Sequence, residues 1–323
     1  MYEEFYGLLT KPFSLNPDPS YYYGSKEHNR VLAYLRYGIN QGEGFIVVSG
    51  EIGAGKTTLI GALLEELGKN EDIIASQLVT TQLEPDDLLK MVAGSFGLRY
   101  ENLSKSELLK EIEAFLYKQA KVGKRVLLVV DEAQNLEQHS LEELRMLSNF
   151  QYEKHSLLQS FLLGQAEFRD TLRAPNMEQF RQRIIASYHL GPMGKSETKG
   201  YIEHRLKVSG WKSDPHISND SYTEIFNYTD GIPRRINTLC DRLFLYAFTE
   251  EAHDITVDTV KAVVAELDEE LHFSREANDG ESAGRTGVSK RVSGNTSDLE
   301  SRVAELEEIV FKAKDLIQLL MKK

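Results

Sequence analysis

Apolar residues follow two alternating patterns along the first two-thirds of the chain. Short runs rich in β-branched residues are separated by longer stretches whose apolar positions recur every three or four residues. The short runs predict buried strands, and the longer stretches predict amphipathic helices. The predicted strands are FIVVS at 45–49, IIASQLV at 73–79, VLLVV at 126–130, SFLLG at 160–164 and IASYHL at 185–190. Strands that alternate with helices predict a mainly parallel α/β sheet covered on both faces.

The strand pattern stops near residue 195, and the rest of the chain divides into three segments. We predict an α/β domain over 1–194, including the aromatic N-terminus, and a helical domain over 195–273 with helices at 196–209, 218–229, 233–250 and 256–271. Residues 274–297 are rich in Ser, Gly and charge, which predicts a disordered linker. Residues 298–323 carry a heptad seam and predict a coiled-coil helix that needs a partner. That partner is a second copy, another protein's coil or the chain's own body.

Composition excludes several classes of protein. The chain has 323 residues, 41% of them hydrophobic, a single cysteine and a net charge of −12. It has no apolar run long enough for a membrane span and no N-terminal signal peptide, so we expect a cytoplasmic protein. The negative charge argues against bulk attraction to nucleic acid, although a local basic site stays open. Seven acids against one lysine fall in 251–273, which predicts either a solvated helix face or an edge that docks a partner.

The sequence GEIGAGKT at 50–57 fits the phosphate-binding pattern GxxxxGK[ST], with a strand run before it and an amphipathic helix after it. Its glycines let backbone N–H groups turn inward around an anion, and the following helix adds the positive end of its dipole. Lys56 is expected to reach the β- and γ-phosphates, Thr57 to bind Mg²⁺, and Thr58 to add a phosphate contact. The candidate nucleotide-binding residues here are Gly50, Glu51, Ile52, Gly53, Ala54, Gly55, Lys56, Thr57 and Thr58.

A pair of carboxylates ends the predicted strand at 126–130. Ligands of parallel sheets bind at the carboxyl ends of the strands, so Asp131 is predicted to contact Mg²⁺, directly or through water. Glu132 is predicted to orient and polarise an attacking water. Positioning and electrostatics carry most of the catalysis in metal-assisted phosphoryl transfer. The pair therefore favours hydrolysis over passive nucleotide binding.

Two arginine-rich segments are further candidates. Arg181 and Arg183 immediately precede the last predicted strand, where a guanidinium could clamp phosphate in a neighbouring subunit. Arg169 and Arg173 are better explained by ion pairs with nearby acids. In GIPRRIN at 231–237, two arginines sit at a helix start, where cations are unfavourable unless they serve an anion. That misfit predicts a phosphate contact.

These motifs, in this order, resemble the AAA+ ATPases. Within that class the phosphate loop, DEAQ, FRQRI and GIPRRIN most resemble the ExeA/GspA-type secretion ATPases. The opening FYGLLTKPFSLNPDPSYYYGSKEH, with DEAQNL and PRRIN, is similar to the secretion ATPase found with exosortase (XrtA)/PEP-CTERM exopolysaccharide loci. The resemblance covers roughly residues 1–270. It implies a P-loop NTPase fold, with a five-stranded parallel AAA+ core sheet and a small helical lid, followed here by the linker and coil.

The resemblance also implies residue roles. Gln165 matches the sensor-1 position, with Asn149 as a weaker candidate. Arg183 matches the arginine finger that acts in a neighbouring subunit, with Arg181 as the alternative. Arg234 matches the sensor-2 arginine of the lid. The N-terminal aromatic segment is expected to pack near the adenine.

The resulting hypothesis is a Mg²⁺-dependent ATPase that assembles into a homo-oligomeric ring or filament. Its nucleotide state would be coupled, through the lid or the C-terminal coil, to a protein partner in secretion or exopolysaccharide export. Any place at the inner membrane would be peripheral and come through that partner. Two alternatives remain: a DNA-binding AAA+ ATPase of the transposition target-selection type, and a nucleotide-gated scaffold that scarcely hydrolyses ATP.

Overall fold

The short apolar runs form the strands of the protein. The computed structural model describes residues 2–80 and 85–282. The strands are β1 (Phe45–Gly50), β2 (Ile73–Val79), β3 (Arg125–Asp131), β4 (Gln151–Tyr152), β5 (His155–Ser156), β6 (Leu158–Gly164), β7 (Ile184–Leu190), β8 (His216–Ile217) and β9 (Asp254–Ile255). The helices are α1 (Tyr2–Phe5), α2 (Lys26–Gln41), α3 (Lys56–Leu67), α4 (Pro85–Ser95), α5 (Lys105–Lys121), α6 (Gln138–Leu147), α7 (Phe168–Arg173), α8 (Glu178–Arg181), α9 (Lys195–Val208), α10 (Asn219–Thr229), α11 (Pro233–Thr249) and α12 (Val257–Ser282).

Five strands form one parallel sheet in the order β2-β3-β6-β1-β7, which confirms the predicted α/β fold. The register pairs Ser49 with Gly164 and with His189, so β1, β6 and β7 end side by side. Because the strands are parallel, the segments that follow them emerge at the same edge of the sheet. The loops after β1, β3 and β6 therefore meet there.

Alternate residues of the central strands fill two separate cores. On one face, Val47, Leu128 and Leu162 pack with helices α4, α5 and α6. On the other face, Val48 and Val129 pack with apolar residues of α2 and α3. Successive side chains of a strand point to opposite faces, so a strand covered on both faces must be apolar at nearly every position. This explains the unbroken runs FIVVS and VLLVV.

The two outer strands correct one expectation. β2 and β7 were expected to be buried like the others, but most of their residues are half-exposed or exposed. Each lies at an edge of the sheet and has a strand neighbour on one side only. The sequence of β7 follows this environment, because exposed Ile185, Ser187 and His189 alternate with more buried positions.

The helical part after residue 195 encloses a third core, and the N-terminus belongs to it. Tyr2, Tyr6 and Phe13 pack with residues of α9, α10 and α11. The Tyr2 hydroxyl donates to Asp241 at 2.7 Å, and Lys11 pairs with Asp241 at 2.9 Å. The first 13 residues were assigned to the sheet domain from their position in the chain. Their large apolar groups instead complete the lid, whose short helices enclose too little core alone.

Two smaller differences concern the predicted boundaries. The lid contains one strand pair, β8 with β9, that its helical pattern did not predict, because two-residue strands leave no periodicity. Helix α12 continues to Ser282, past the predicted linker start at 274, since Arg, Glu and Ala in this stretch favour helix. Residues 283–297 of the predicted linker and the predicted coil at 298–323 lie outside the described residues.

Met1–Asp268, which contain the sheet and most of the helical part, form one compact unit. Among the described residues, no helix is both long and apolar enough to cross a membrane.

Candidate nucleotide-binding site

The loop between β1 and α3 has the conformation that its glycines allow. Gly53 and Gly55 have φ values of 81° and 94°, in the left-handed region that other residues rarely adopt. A Cβ on Gly53 would lie 2.4 Å from the Cβ of Arg234, and one on Gly55 would lie 2.9 Å from Nε2 of His28. The loop thus needs glycine at both positions for two reasons, the backbone turn and the close approach of the neighbouring elements.

Lys56 begins α3 and is only 7% exposed. Its Nζ donates to the carbonyl oxygens of Gly50 at 2.8 Å and Glu51 at 3.0 Å, so the ammonium is hydrogen-bonded to the phosphate loop itself. Burial lowers its pKa, while the carboxylates of Glu132 and Asp131 act in the opposite direction. A buried ammonium held only by carbonyls is poised to exchange them for an anion.

Thr57 and Asp131 meet across the sheet edge. The Thr57 hydroxyl donates to Oδ2 of Asp131 at 2.8 Å, and Asp131 is 2% exposed. Burial raises the pKa of Asp131, and the hydrogen bond from Thr57 opposes that shift. A hydroxyl and a carboxylate are hard oxygen ligands of the kind that Mg²⁺ prefers. The residues present therefore fit a magnesium ion.

Glu132 is placed by an unusual backbone conformation. Its φ is 56°, and its N–H donates to Oδ1 of Asp131 at 2.9 Å. The Thr80 hydroxyl lies 2.8 Å from the carbonyls of both Asp131 and Glu132 and ties this turn to the end of β2. Non-glycine residues in the left-handed region are uncommon and persist where the surroundings hold them. The turn aims the Glu132 side chain into the pocket lined by the phosphate loop.

Gln165, the sensor-1 candidate, follows β6 and reaches the same pocket. Its Nε2 donates to Oε2 of Glu132 at 3.3 Å. Asn149, the weaker candidate, lies elsewhere. It follows α6 near the start of β7, where its Oδ1 accepts a hydrogen bond from Arg183. Asn149 was therefore wrong as a sensor-1 candidate, because it lies at the amino ends of the strands.

The lid contributes Arg234 to the pocket. The Arg234 N–H donates to the carbonyl of Gly53 at 3.1 Å, and its side chain lines the pocket with Lys56 and Thr57. The adjacent Arg235 points away and pairs with Asp230 at 3.0 Å. Of the two arginines that the helix-start argument singled out, only Arg234 lies in the pocket.

The other loop residues have distinct places. Thr58 and the exposed Ile52 line the pocket, and the carbonyl of Glu51 accepts from Lys56. Ala54 is buried, and its carbonyl lies 3.1 Å from Nε2 of His28. Because a carbonyl only accepts, that nitrogen donates, and Nδ1 accepts from the Ser25 hydroxyl at 2.7 Å. Burial lowers the pKa of His28, which favours this neutral form.

His28 and Arg205 of α9 both line the pocket, and the sequence predicted neither. Arg205 is 6% exposed, and its guanidinium donates to the carbonyls of Pro12 and Ser14 and to the hydroxyl of Tyr201. It also lies 4.6 Å from the ring centre of Tyr21. Among the described residues, no carboxylate forms an ion pair with it. Arg205 fastens the N-terminal segment to the lid and lines the pocket together with Tyr21 and Tyr201.

We predict that Arg205→Ala lowers stability by about 2 kcal/mol or more, because buried carbonyls lose their donors. ATP and ADP binding should weaken to a similar degree, since Arg205 bonds Pro12, Ser14 and Tyr201 rather than the phosphate loop. Thermal denaturation and titration with both nucleotides measure these effects. Lys207→Ala, an exposed change on the same helix, is the control. An unchanged melting temperature would contradict this role of Arg205.

The two finger candidates lie at the far edge of the sheet. Arg183 precedes β7, and its carbonyl accepts from Phe45 N–H at the start of β1. The phosphate loop begins after Gly50, one strand length away, about 20 Å at the usual rise per residue. Arg183 therefore cannot reach its own phosphate loop. Its guanidinium donates to the carbonyl of Ser148 at 3.3 Å and to Asn149.

Arg181 differs from Arg183 in its contacts. Its guanidinium donates to the carbonyls of Leu172 and Ala174 at 2.8 and 2.7 Å, so it closes the turn between α7 and α8. Among the other arginines of this segment, Arg173 pairs with Asp170 at 3.2 Å, as its sequence neighbours indicated. Both guanidiniums are thus bonded within the chain, and Arg183 as the arginine that acts in a neighbour stays a prediction.

The sheet order and the phosphate site agree with a comparison of the sequence with known families. Residues 39–172 match the AAA domain family. The chain therefore carries a AAA domain of the P-loop class, in which the predicted phosphate loop and Asp131 both lie.

One known protein is similar to most of this chain. Over 268 residues the chain is 37% identical to General secretion pathway protein A of Aeromonas hydrophila, and the alignment covers 83% of this chain and 48% of that protein. The chain thus spans about half the length of the curated relative it matches. The chain contains a AAA domain and is similar to this secretion-pathway protein, which confirms the coarser part of the predicted resemblance. The link to exosortase loci stays a prediction.

Solved structures share the fold at low sequence identity. Cdc6p from Pyrobaculum aerophilum is 16% identical, with a TM-score of 0.63 over 79% of this chain and 70% of that one. The ORC2 protein of Aeropyrum pernix, in ADPNP and ADP complexes, is 15% identical, with a TM-score of 0.61 over 79% and 71%. RuvB of Thermotoga maritima, a Holliday junction branch migration motor, is 19% identical, with a TM-score of 0.52 over 76% and 70%. At these identities the likeness establishes the fold alone.

Proposed function

We propose that this protein is a Mg²⁺-dependent ATPase whose site is the pocket at the carboxyl edge of the sheet. The observation that carries this proposal is the convergence of four elements on that pocket. The phosphate loop, the ends of β3 and β6, and the lid bring Lys56, Thr57, Glu132, Gln165 and Arg234 to its wall. Asp131 lies directly behind Thr57.

Each side chain has a distinct task in this proposal. Lys56 exchanges its loop carbonyls for the β- and γ-phosphate oxygens. Thr57 and Asp131 would hold Mg²⁺, whose charge would offset the negative charge of the phosphates. Glu132 orients the attacking water and accepts its proton. Gln165, 3.3 Å from Glu132, stands where it can contact the water or the γ-phosphate. Arg234 joins the lid to the phosphates, so closure of the lid depends on the nucleotide.

The far placement of Arg183 supports action between subunits. A group one strand length from its own loop can meet a phosphate only in a neighbouring copy. An interface that joins two different surfaces of the same chain generates a ring if the rotation closes and a filament if it does not. We therefore infer a head-to-tail homo-oligomer with nucleotide at each interface.

The direct test is phosphate release from ATP by the full chain, measured with Mg²⁺ and with excess EDTA over a range of protein concentrations. We expect hydrolysis that requires Mg²⁺ and a turnover per subunit that rises with concentration as subunits assemble. Nucleotide binding without Mg²⁺-dependent phosphate release would contradict the proposed activity. Constant turnover from dilute to concentrated protein would contradict the shared site.

We further propose that the nucleotide state is passed to a protein partner in secretion or exopolysaccharide export. The relatedness to a secretion-pathway protein and the sequence resemblance to exosortase-locus ATPases support this role. The partner would bind the lid or residues 298–323, and the protein would act in the cytoplasm or at the inner membrane through that partner. Capture of partners by the full chain and by a chain ending at residue 297, each in ATP and in ADP, tests this. Equal capture in all four conditions would contradict nucleotide-coupled binding.

A further inference from the structure

Gln134 lies between two catalytic candidates without lining the pocket itself. Its Nε2 donates to Oε2 of Glu132 at 2.6 Å, and its Oε1 accepts from the backbone N–H of Gln165 at 3.0 Å. One side chain thus spans the end of β3 and the end of β6. The half-buried amide uses both of its polar atoms on these two partners.

The local backbone explains how the side chain of Gln134 reaches the carboxylate of Glu132. The left-handed conformation of Glu132 turns the chain into a single 3-10 turn, Ala133–Asn135. Ala133 is buried and anchors this turn in the core. Asn135 donates to the carbonyl of Thr80 at 3.0 Å and fixes the far side of the turn. The position of Gln134 is therefore set by contacts on both sides.

Two amides share one oxygen of the Glu132 carboxylate. The bond from Gln134 is 2.6 Å long and the bond from Gln165 is 3.3 Å. Hydrogen bonds weaken as they lengthen, so Gln134 is the main restraint on this oxygen. The pocket contains Glu132 and Gln165 but not Gln134. Gln134 can therefore act on the reaction only through its neighbours.

We propose that Gln134 is a positioning residue for ATP hydrolysis, which holds Oε2 of Glu132 so that the other carboxylate oxygen is directed at the attacking water. Through the N–H of Gln165 it also keeps the ends of β3 and β6 in register at the site. This inference rests on the proposed function. It adds a residue that neither the sequence motifs nor the comparisons assign.

Loss of this restraint should act on turnover rather than on binding. Without Gln134, the Glu132 side chain keeps only the longer contact with Gln165 and can rotate away from the water. Misplacement of a catalytic group by about 1 Å costs about 100-fold in rate. We expect Gln134→Ala to lower kcat by about 10- to 100-fold. KM and the Kd for ATP should stay within about twofold, because no phosphate contact is lost.

Gln134→Glu separates positioning from mere packing. A glutamate keeps the size of the side chain and can still accept from the Gln165 N–H. It cannot donate to Glu132 when ionised, and it places a second carboxylate beside the first. Two carboxylates at this distance resist simultaneous ionisation. The pH below which kcat falls should therefore rise by about one unit, an effect that a purely structural role would not produce.

The experiment compares wild type, Gln134→Ala, Gln134→Glu and the control Gln138→Ala as full chains with Mg²⁺ and ATP. Gln138 is an exposed glutamine of the same segment that accepts a hydrogen bond from Asn176 and does not line the pocket. Steady-state kinetics over a range of pH, ATP affinity and melting temperature are measured for each. Two results together support the proposal. Gln134→Ala should show a reduced kcat with an unchanged KM, and in Gln134→Glu the pH below which kcat falls should be higher than in wild type.

Three outcomes overturn it. Gln134→Ala could match the control in kcat, or it could raise KM with kcat unchanged. Gln134→Glu could retain the wild-type pH profile at full activity. Each of these contradicts positioning while wild type and Gln138→Ala still hydrolyse ATP, so the proposed function survives. If wild type and Gln138→Ala also lack Mg²⁺-dependent turnover, the proposed function fails and this inference falls with it.

Discussion

Glu132→Gln is expected to lower ATP hydrolysis by about 100-fold or more, since general base catalysis contributes about 10²–10⁴. ATP binding should persist, because Lys56, Thr57 and Arg234 are untouched. The amide has nearly the size of the carboxylate and can remain between Gln134 and Gln165. It cannot accept the proton of the attacking water. Phosphate release in single-turnover conditions and ATP affinity measured in parallel separate the two effects.

Glu137→Gln provides the matched control for this change. Glu137 lies in the same segment, is exposed and precedes α6. Its replacement should leave both hydrolysis and binding unchanged. Phosphate release by Glu132→Gln at the wild-type rate would remove Glu132 from the mechanism. In that case, a nucleotide-gated scaffold would be the better description of the protein.

The sequence predicts those parts of the site that consist of contiguous residues. The phosphate loop is eight residues long, and its strand and helix flank it directly. Asp131 and Glu132 end a short, β-branched apolar run that is typical of a buried central strand. The parallel arrangement then brings these distant segments together, because all carboxyl ends lie at one edge. Local pattern and one topological rule were sufficient here.

The residues that the sequence did not predict act across long separations. Arg205 contacts Pro12, 193 residues earlier, and His28 contacts Ala54, 26 residues later. Neither residue type is unusual where it stands. An arginine within a helix usually predicts a solvated face, and a lone histidine predicts nothing specific. Their roles come from packing partners that a single sequence does not reveal.

The N-terminal segment likewise shows that contacts between distant parts of the chain are not evident from the sequence, here in the assignment of a segment to a domain. The family resemblance implied that its aromatic residues pack near the adenine. The structure divides them by position: Tyr2, Tyr6 and Phe13 fill the lid core, and only Tyr21–Tyr23 line the pocket. A segment that precedes the core in sequence thus belongs to the lid in space. Motion of the lid must therefore carry residues 2–13 with it.

Arg183→Ala is expected to lower turnover by about 1,000-fold, the scale of an arginine supplied to phosphoryl transfer from a neighbour. ATP binding at each subunit's own loop should be little affected, because Arg183 lies at the opposite edge of the sheet. Arg183→Lys should not restore activity, since an ammonium cannot reproduce the planar fork of donors. Arg181→Ala should instead lower the melting temperature, because two carbonyls lose their donor.

A mixing experiment tests the origin of this arginine directly. The Glu132→Gln chain has an inactive site but an intact Arg183, and the Arg183→Ala chain has the reverse. In a head-to-tail oligomer, a Glu132→Gln subunit supplies its arginine to the intact site of an Arg183→Ala neighbour. Mixing two inactive chains should therefore recover part of the wild-type turnover, whereas each alone stays inactive. Arg173→Ala, which removes an exposed pair with Asp170, is the control and should remain active. No recovery on mixing, with both variants still assembling, would place Arg183 outside the shared site.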